Sequence, residues 1–501
     1  MKVNKKYIEQ FYGKEIYYEF LLLEYLYERV DGYEMAELIR ALGRNRRTIA
    51  KYIEQINNLA IKLIGRKSIN LTKKKTYVFA GDKEECQKLR MALIEDSPIL
   101  CLAIKFLSDS QIIFDKFCME NYLAESTVRR KIDEVNKAIS ASGVQIFIQK
   151  NRIKLIGKEK NIRLGLISFF WSTYHGGQWP FPNLSKKELS KKLQDSLPET
   201  VEKMSKSRWE KLLLIFAINI LRSGSNFTVS EIDLISDLGD FIEENPNLNR
   251  LKSNFLLADN EVKFLSCFII LFPEYNLYNP TMVLLKEISP NSDLLSKNID
   301  QYIDFVKVKH PEVTVESQQW EKFLSVLFSE MINMELFDDT IFKLSNDYLD
   351  KQIKKEYPRL FENIEKFIYE TNPELEQKLL DSLTLVYVHA YIAIFSPRDF
   401  EEEIKIGLET DMPIYMEGYI ERTLEAILQS KFKVSFSHIF DAKEKFDLIL
   451  NTNPTSNQEL TSPQVMISAE ILTRDIFAVY NACEQIVSER VKTRRERAVN
   501  Y

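Results

Sequence analysis

Residues 33–59 read YEMAELIRALGRNRRTIAKYIEQINNL, a pattern typical of two helices joined by a tight turn. Met35, Leu38 and Ile39 give the first helix one apolar face. Gly43 can adopt the positive φ that a sharp turn needs. Asn45 then stands where a side chain can cap the second helix. The spacing therefore predicts a helix-turn-helix unit.

The second helix of this unit would bury Ile49, Ile53 and Ile56, which recur at helical spacing. Its polar N-terminal end then faces outward, where a recognition helix presents the side chains that read base edges. An arginine at such a position can bridge O6 and N7 of guanine. The predicted DNA-contacting residues of this helix are Asn45, Arg46, Arg47, Thr48 and Lys51.

The surrounding sequence is strongly basic. Residues 40–75 contain eleven lysines and arginines against one acidic residue, which is typical of a surface that binds a polyanion. Residues 68–72 and 76–79 predict two short strands joined by Lys73, Lys74 and Lys75, as in the wing of a winged helix, with the lysines placed to touch phosphate. The alternative is an ordinary helical hairpin whose basic face is merely solvated.

A second copy of the pattern follows between residues 112 and 156. Ile112, Ile113 and Phe117 predict a first helix, residues 121–125 a turn, and residues 126–139 a second helix. Residues 144–148 and 152–156 alternate like the strands of another wing. The predicted DNA-contacting residues here are Ser126, Thr127, Arg129 and Arg130. The alternative is a duplicated packing module that has lost its DNA contact.

Charge divides the chain into two parts. The first 163 residues have a formal net charge of +10, which leaves −15 for the other 338 residues of a chain whose total is −5. Nucleic acid would repel the acidic part, so only the N-terminal third is expected to dock on it. A chain of 501 residues exceeds what one core usually supports, which predicts several domains.

The composition indicates a cytoplasmic protein. The five cysteines are scattered, with no C-x-x-C pair or Cys/His cluster, so neither a disulfide framework nor a metal site is expected. The lysine-rich start lacks an apolar signal core, and no apolar run is long enough to cross a bilayer. No P-loop, dinucleotide-binding, nucleophile-elbow or H-E-x-x-H motif occurs, so the sequence predicts no catalytic residue, no cofactor and no enzyme.

The remainder predicts helices followed by an α/β region. The helices are expected at 164–174, 209–222, 230–244 and 262–271, then at 294–306, 319–334, 351–370 and 373–395. After them, strands are expected at 403–409, 433–438, 446–451 and 464–468, with helices at 415–429 and 476–492. This alternation predicts a small sheet with parallel strands.

The order of these parts resembles the Mga/AtxA family of virulence regulators, which are transcription factors of Gram-positive bacteria. The resemblance is strongest in residues 37–52, in the QWPFP element at 178–182 and in FAINILR at 216–222. It implies a mainly α multidomain fold. The implied domains are winged helix-turn-helix units at 1–85 and 86–163, helical phosphotransferase-system regulation domains (PRDs) at 164–287 and 288–398, and an EIIB-like α/β domain at 399–501.

The resemblance also implies control by histidine phosphorylation from phosphotransferase-system (PTS) phosphocarrier proteins, and a homodimer formed through the EIIB-like domain. No histidine lies between residues 176 and 309, so the implied phosphorylation site is His389, with His175 a weak candidate. The alternative for His389 is a neutral histidine packed in a core. The EIIB-type phosphate loop corresponds to residues 410–415, which contain no cysteine, and Cys483 falls in the final helix. A scaffold or dimerisation role is therefore expected there instead of phosphocarrier activity.

These observations predict a DNA-binding transcriptional regulator, with activation as its expected effect on promoters. The runner-up is an RNA-binding antiterminator, because antiterminators share the same regulation domains. A protein-binding scaffold is a third alternative, and it predicts no salt-sensitive binding of nucleic acid.

Overall fold

The computed structural model describes residues 5–95, 97–109, 111–198, 204–229, 246–270, 293–314, 317–337, 347–439, 445–453 and 462–499. The chain divides into two compact units, one comprising Met1–Pro311 with Leu324–Tyr348 and the other Glu312–Phe323 with Leu349–Tyr501. Among the described residues, no helix combines the length and the apolar character that crossing a membrane requires.

The first winged module begins with α1 (Lys5–Tyr12) and α2 (Lys14–Glu28) and continues into the predicted helix-turn-helix. That motif consists of β1 (Tyr33–Glu34), α3 (Met35–Leu42) and α4 (Arg46–Ile64), and the wing is β2 (Ile69–Leu71) with β3 (Thr76–Phe79). The three strands form an antiparallel sheet in the order β1-β3-β2. Its core contains Ile49, Ile53 and Ile56, as the spacing predicted, together with Leu22 and Leu26 of α2.

The second winged module repeats this order. It contains α5 (Lys83–Ile94), α6 (Pro98–Phe106), β4 (Ile112–Ile113), α7 (Phe114–Glu120), α8 (Glu125–Ile139), β5 (Gln145–Gln149) and β6 (Arg152–Ile156). The strands pair antiparallel in the order β4-β6-β5. The prediction that Ile112 and Ile113 start a helix is wrong, because they pair with β6 and the helix begins at Phe114.

The rest of the first unit is helical. Its helices are α9 (Glu159–Tyr174), α10 (Lys186–Ser196), α11 (Lys206–Gly224), α12 (Pro246–Phe255), α13 (Asp259–Ile270), α14 (Asp293–Lys309) and most of α15 (Gln318–Leu336). Sequence periodicity missed α10 and α12. The helix predicted at 230–244 lies outside the described residues.

Three buried charged side chains (Arg163, Arg222 and Glu261) and the partly exposed Glu159 join α9, α11 and α13. The guanidinium of Arg163 on α9, which is fully buried, donates to Glu261 of α13 (2.9 Å) and Glu159 (3.0 Å). Arg222 of α11 donates to Glu159 (2.8 Å) and also to the backbone carbonyl of Phe106 at the end of α6. Asn219 and the carbonyl of Phe227 accept further bonds from Arg163 at 3.0 and 2.7 Å. The network therefore ties the second winged module to the helices that follow it.

The second unit contains three helices and an α/β domain. The helices are α16 (Asp347–Glu356), α17 (Pro358–Thr371) and α18 (Gln377–Ile392). All of α16 except its first two residues belongs to this unit. The prediction of a single helix at 351–370 is wrong. Two helices occupy this range, because the helical conformation is interrupted at Tyr357, immediately before Pro358 begins α17. A residue that precedes proline is sterically disfavoured in the helical region, which explains the break.

The terminal domain has the parallel sheet that the sequence predicted. Its strands are β7 (Ile404–Glu409), β8 (Val434–His438), β9 (Leu448–Asn451) and β10 (Gln464–Met466), all paired parallel in the order β10-β9-β7-β8. Helices α19 (Ile414–Leu428) and α20 (Thr473–Val499) accompany it. Arg490 of α20 contacts Asp447 at 2.7 Å and the carbonyl of Glu403 at 3.1 Å, which fixes the last helix to the sheet.

The buried charge network predicts a large penalty when one member is removed. Glu261→Leu leaves the Arg163 guanidinium buried without its main counter-charge, and this is expected to lower the free energy of unfolding by about 3–5 kcal/mol in urea denaturation. Glu365→Leu is the matched control, because Glu365 pairs with Lys354 on an exposed surface and should contribute only about 0–1 kcal/mol. Equal effects of the two substitutions would contradict this prediction.

Candidate nucleic-acid interface

The start of α4 is fixed by Asn45, as the sequence predicted. Its side-chain oxygen accepts hydrogen bonds from the Thr48 backbone N–H at 2.9 Å and from the Thr48 hydroxyl at 3.0 Å. Gly43 adopts φ 61° and donates its N–H to the carbonyl of Ile39, which ends α3 and turns the chain. Asn45 and the Thr48 hydroxyl are thus occupied in the cap, and their first role is to set the direction of α4.

Arg46 and Arg47 form the outward end of α4. Both are exposed, and neither forms an ion pair with any residue that the structure describes. The neighbouring Arg44 behaves differently, because its guanidinium lies over the ring of Tyr18 at 3.9 Å. The stacking orders Arg44 against the body of the module and leaves Arg46 and Arg47 to project from the helix end.

Lys51 lies one turn further along α4 and has a partner. Its ammonium pairs with the carboxylate of Glu15 on α2, and that hydrogen bond raises the pKa of Lys51. Both side chains are more than half exposed, so the pair is open to water. A phosphate would have to replace Glu15 as the partner of Lys51, a competition that the sequence could not reveal.

The first wing carries its lysines at the tip. Lys73, Lys74 and Lys75 are exposed, Lys75 adopts φ 60° in the turn, and none of the three forms an ion pair within the described residues. At the other end of the hairpin, Arg66 donates to both carboxylate oxygens of Glu85 at 2.7 Å and to the carbonyl of Ala80 at 2.8 Å. The base of the wing is therefore anchored while its cationic tip remains available.

The second recognition helix, α8, presents fewer available charges. Ser126 and Arg130 are exposed, Thr127 is half-buried, and Arg130 forms no ion pair in the described part of the chain. Arg129 lies over the ring of Phe114 at 4.4 Å and 3.6 Å from Glu125. Arg130 is therefore the better placed of the two arginines to contact a phosphate or base.

The turn of the second wing is hydrogen-bonded to α7. Lys150 and Asn151 both adopt positive φ in its turn. The Asn151 side chain donates to Asp115 at 2.8 Å and accepts from the Asp115 backbone N–H at 3.2 Å.

The turn between α7 and α8 exposes Tyr122, whose surface is 97% accessible and whose backbone adopts φ 53°. Nothing in the residue pattern singled out Tyr122, because its accessibility depends on how the turn is oriented.

The main predicted phosphorylation site lies in the second unit, whereas the weak candidate, His175, follows α9 in the first unit. His389 on α18 is half-buried, between buried Val388 and Ala390. Burial raises the pKa of the Cys483 thiol in α20 to about 12, which keeps it protonated at neutral pH. Cys483 is thus unsuited to accept a phosphoryl group, because a thiolate is the nucleophile in that reaction.

Comparison with known proteins finds a family match in the second winged module. Residues 82–170 match the Mga helix-turn-helix domain, a range that runs from the cap of α5 through α8 and the second wing into α9. A protein of Streptococcus pneumoniae serotype 4 (strain ATCC BAA-334 / TIGR4), named "Putative trans-acting regulator", is 23% identical over 445 residues, covering 84% of this chain and 87% of that protein. The two findings support the Mga-like regulator family that the sequence predicted.

A buried carboxyl near Lys51 makes the first module sensitive to pH. Glu19 on α2 is 3% exposed, and its Oε1 atom has no hydrogen-bond partner in the described structure. Burial, with a smaller contribution from Glu15, raises the pKa of Glu19 from an ordinary 4.5 to about 7. The folded protein therefore holds this proton more tightly than the unfolded chain, so the contribution of Glu19 to stability is largest below pH 4.5 and is lost as the pH rises through about 7.

Glu19→Gln, which remains neutral, should remove this pH dependence. We expect the variant to be more stable than the wild type at pH 8 by about 2–3 kcal/mol and to match it near pH 4.5, measured by amide hydrogen exchange of Leu22 and Leu23. Glu28→Gln on the exposed end of α2 serves as the control. A stability difference that does not change with pH would show that Glu19 does not titrate in this range.

Proposed function

We propose that this Mga-like regulator binds double-stranded promoter DNA in the cytoplasm and activates transcription. The observation that carries the proposal is the set of exposed cations on two winged modules: Arg46, Arg47, Lys73, Lys74, Lys75 and Arg130. Arginines at a recognition-helix N-terminus suit base edges in the major groove, and lysines at a wing tip suit phosphate. The match to the Mga helix-turn-helix domain and the name of the streptococcal relative, a putative trans-acting regulator, support this function.

Reversing charge at the start of α4 tests the proposal. Arg46→Glu with Arg47→Glu is expected to weaken duplex binding in a gel-shift titration by about 2–6 kcal/mol, since each good base contact contributes about 1–3 kcal/mol. Lys366→Glu with Lys378→Glu is the matched control, because it changes the net charge equally at exposed positions far along the chain. The control should bind DNA nearly as tightly as the wild type.

Stem-loop RNA is the competing ligand in that titration. An antiterminator would bind the stem-loop more tightly than the duplex, whereas two winged helix-turn-helix modules are built for a major groove. Unchanged duplex affinity in the Arg46/Arg47 variant would remove the first module from the mechanism. Binding of neither nucleic acid would favour the scaffold alternative.

We further propose that phosphorylation and self-association control DNA binding. A phosphoryl group on His389 would add nearly two negative charges beside the buried side chains of α18, enough to change how that helix packs.

The proposed dimer contact lies in the terminal domain. Ile414, Tyr415 and Tyr419 expose 80%, 70% and 57% of their surface, and they form an apolar face on α19 suited to a second copy of the chain. A chain that stays monomeric at micromolar concentration would exclude the dimer.

The phosphorylation proposal predicts that one histidine accounts for most labelling. Incubation with phosphoenolpyruvate and the PTS phosphocarrier proteins should label the wild type and leave His389→Ala largely unlabelled, because α18 contains no other histidine. His438→Ala is the control, since His438 lies in the terminal sheet with Nδ1 3.3 Å from Glu417. Full labelling of His389→Ala would rule out this site.

A further inference from the structure

An apolar cavity of about 90 Å³ lies behind the second recognition helix. Five elements line it: α8 through Val135 and Ile139, the second wing through Val144, Ile146 and Leu155, α6, α9, and Phe11 of α1. Phe11 stands against Phe169 of α9, with ring centroids 5.4 Å apart. The cavity therefore lies where the second winged module, α1 and α9 meet.

Gly165 in the middle of α9 lines this cavity. A glycine inside a helix is normally explained by the close approach of another element, because it destabilises the helix relative to alanine. Here a Cβ built on Gly165 would meet no atom within 4 Å. Close packing therefore does not require this glycine, and its effect is to leave the cavity larger than alanine would.

The lining suits an aliphatic chain with a polar end. The pocket is half open to solvent, and most of its wall is apolar, which favours an apolar occupant over ordered water, since an ordered water needs several polar partners. A cavity of about 150 Å³ holds benzene, so this volume suits roughly four buried carbon atoms, and the carboxylate end of a slightly longer chain would lie in the open mouth of the pocket. Ser168 and Ser172 also line it and are half-buried on α9, three and seven residues after Gly165, where a polar headgroup could reach their hydroxyls.

We infer that this cavity binds the short aliphatic chain of a small carboxylic acid or alcohol, with the headgroup at Ser168 and Ser172. An occupant would contact the buried face of α8 and α9 together, so it would bias how the recognition helix is held against the helices that follow. The effect of the ligand on DNA binding rests on the function proposed above. The binding of the ligand to the cavity does not rest on that function.

Hexanoate is a suitable probe, and acetate, which has the headgroup without the chain, is its control. In a thermal-shift titration of the full chain, hexanoate at saturating concentration should raise Tm by about 1–3 °C, and acetate should not. Gly165→Leu, which places a side chain in the cavity, should weaken hexanoate binding about tenfold or more. Gly165→Ala should weaken it less, and this variant keeps the test valid if leucine prevents folding.

Gly224→Leu is the matched control, because Gly224 is an exposed helical glycine with nothing within 4 Å of a built Cβ and does not line the cavity. It should bind hexanoate like the wild type. Equal binding by wild type, Gly165→Ala and Gly165→Leu would overturn the site, as would a wild type that responds to acetate and hexanoate alike.

A gel shift with and without hexanoate tests the coupling to DNA. A change of about threefold or more in duplex affinity in the wild type, absent from Gly165→Leu, is expected. Hexanoate binding without any change in duplex affinity would overturn the coupling and leave the DNA-binding function standing. Loss of duplex binding in all conditions would count against that function and not against the site.

Discussion

The paired charges of Arg163, Glu159, Glu261 and Arg222 are the constraint on which the first unit depends. A buried guanidinium that loses its carboxylate is strongly destabilising, so α9, α11 and α13 must be held together. Because Arg222 also bonds the end of α6, the second winged module cannot move independently of these helices without breaking the network. These bonds give a physical route by which a conformational change in α11 or α13 can be transmitted to the second winged module, which contains α8.

The fold also determines which cations are available to a polyanion. Several members of the basic block are engaged inside the first module, by the ring of Tyr18, by Glu15 or by Glu85. Five of the other cations (Arg46, Arg47, Lys73, Lys74 and Lys75) lie at the start of α4 and at the wing tip, the two places where a winged helix meets a groove and a phosphate backbone. Arg40, Lys62 and Lys67 are exposed elsewhere on the module. Intramolecular pairing thus leaves five available cations at the start of α4 and the wing tip, the end of the module that we propose faces DNA.

Local signals predicted much of the structure. Gly43, Asn45, both wings and the parallel terminal sheet followed from turn chemistry, capping and periodicity, which depend on neighbours in sequence. The two-residue strands β1 and β4, the pairing of Lys51 with Glu15 and the bond from Arg163 to Glu261 were not predictable, because each joins residues that only tertiary packing brings together. The five-domain division, the DNA-contacting residues and the role of His389 remain predictions.

The salt dependence of duplex affinity tests the central claim most directly, because each phosphate neutralised by a protein cation releases counterions. The logarithm of the association constant is expected to fall linearly with the logarithm of salt concentration, with a slope of about −3 or steeper, since each phosphate contact contributes about −0.9. A slope near zero for the full chain would contradict the account, because the exposed cations of the two winged modules would then not be touching phosphate.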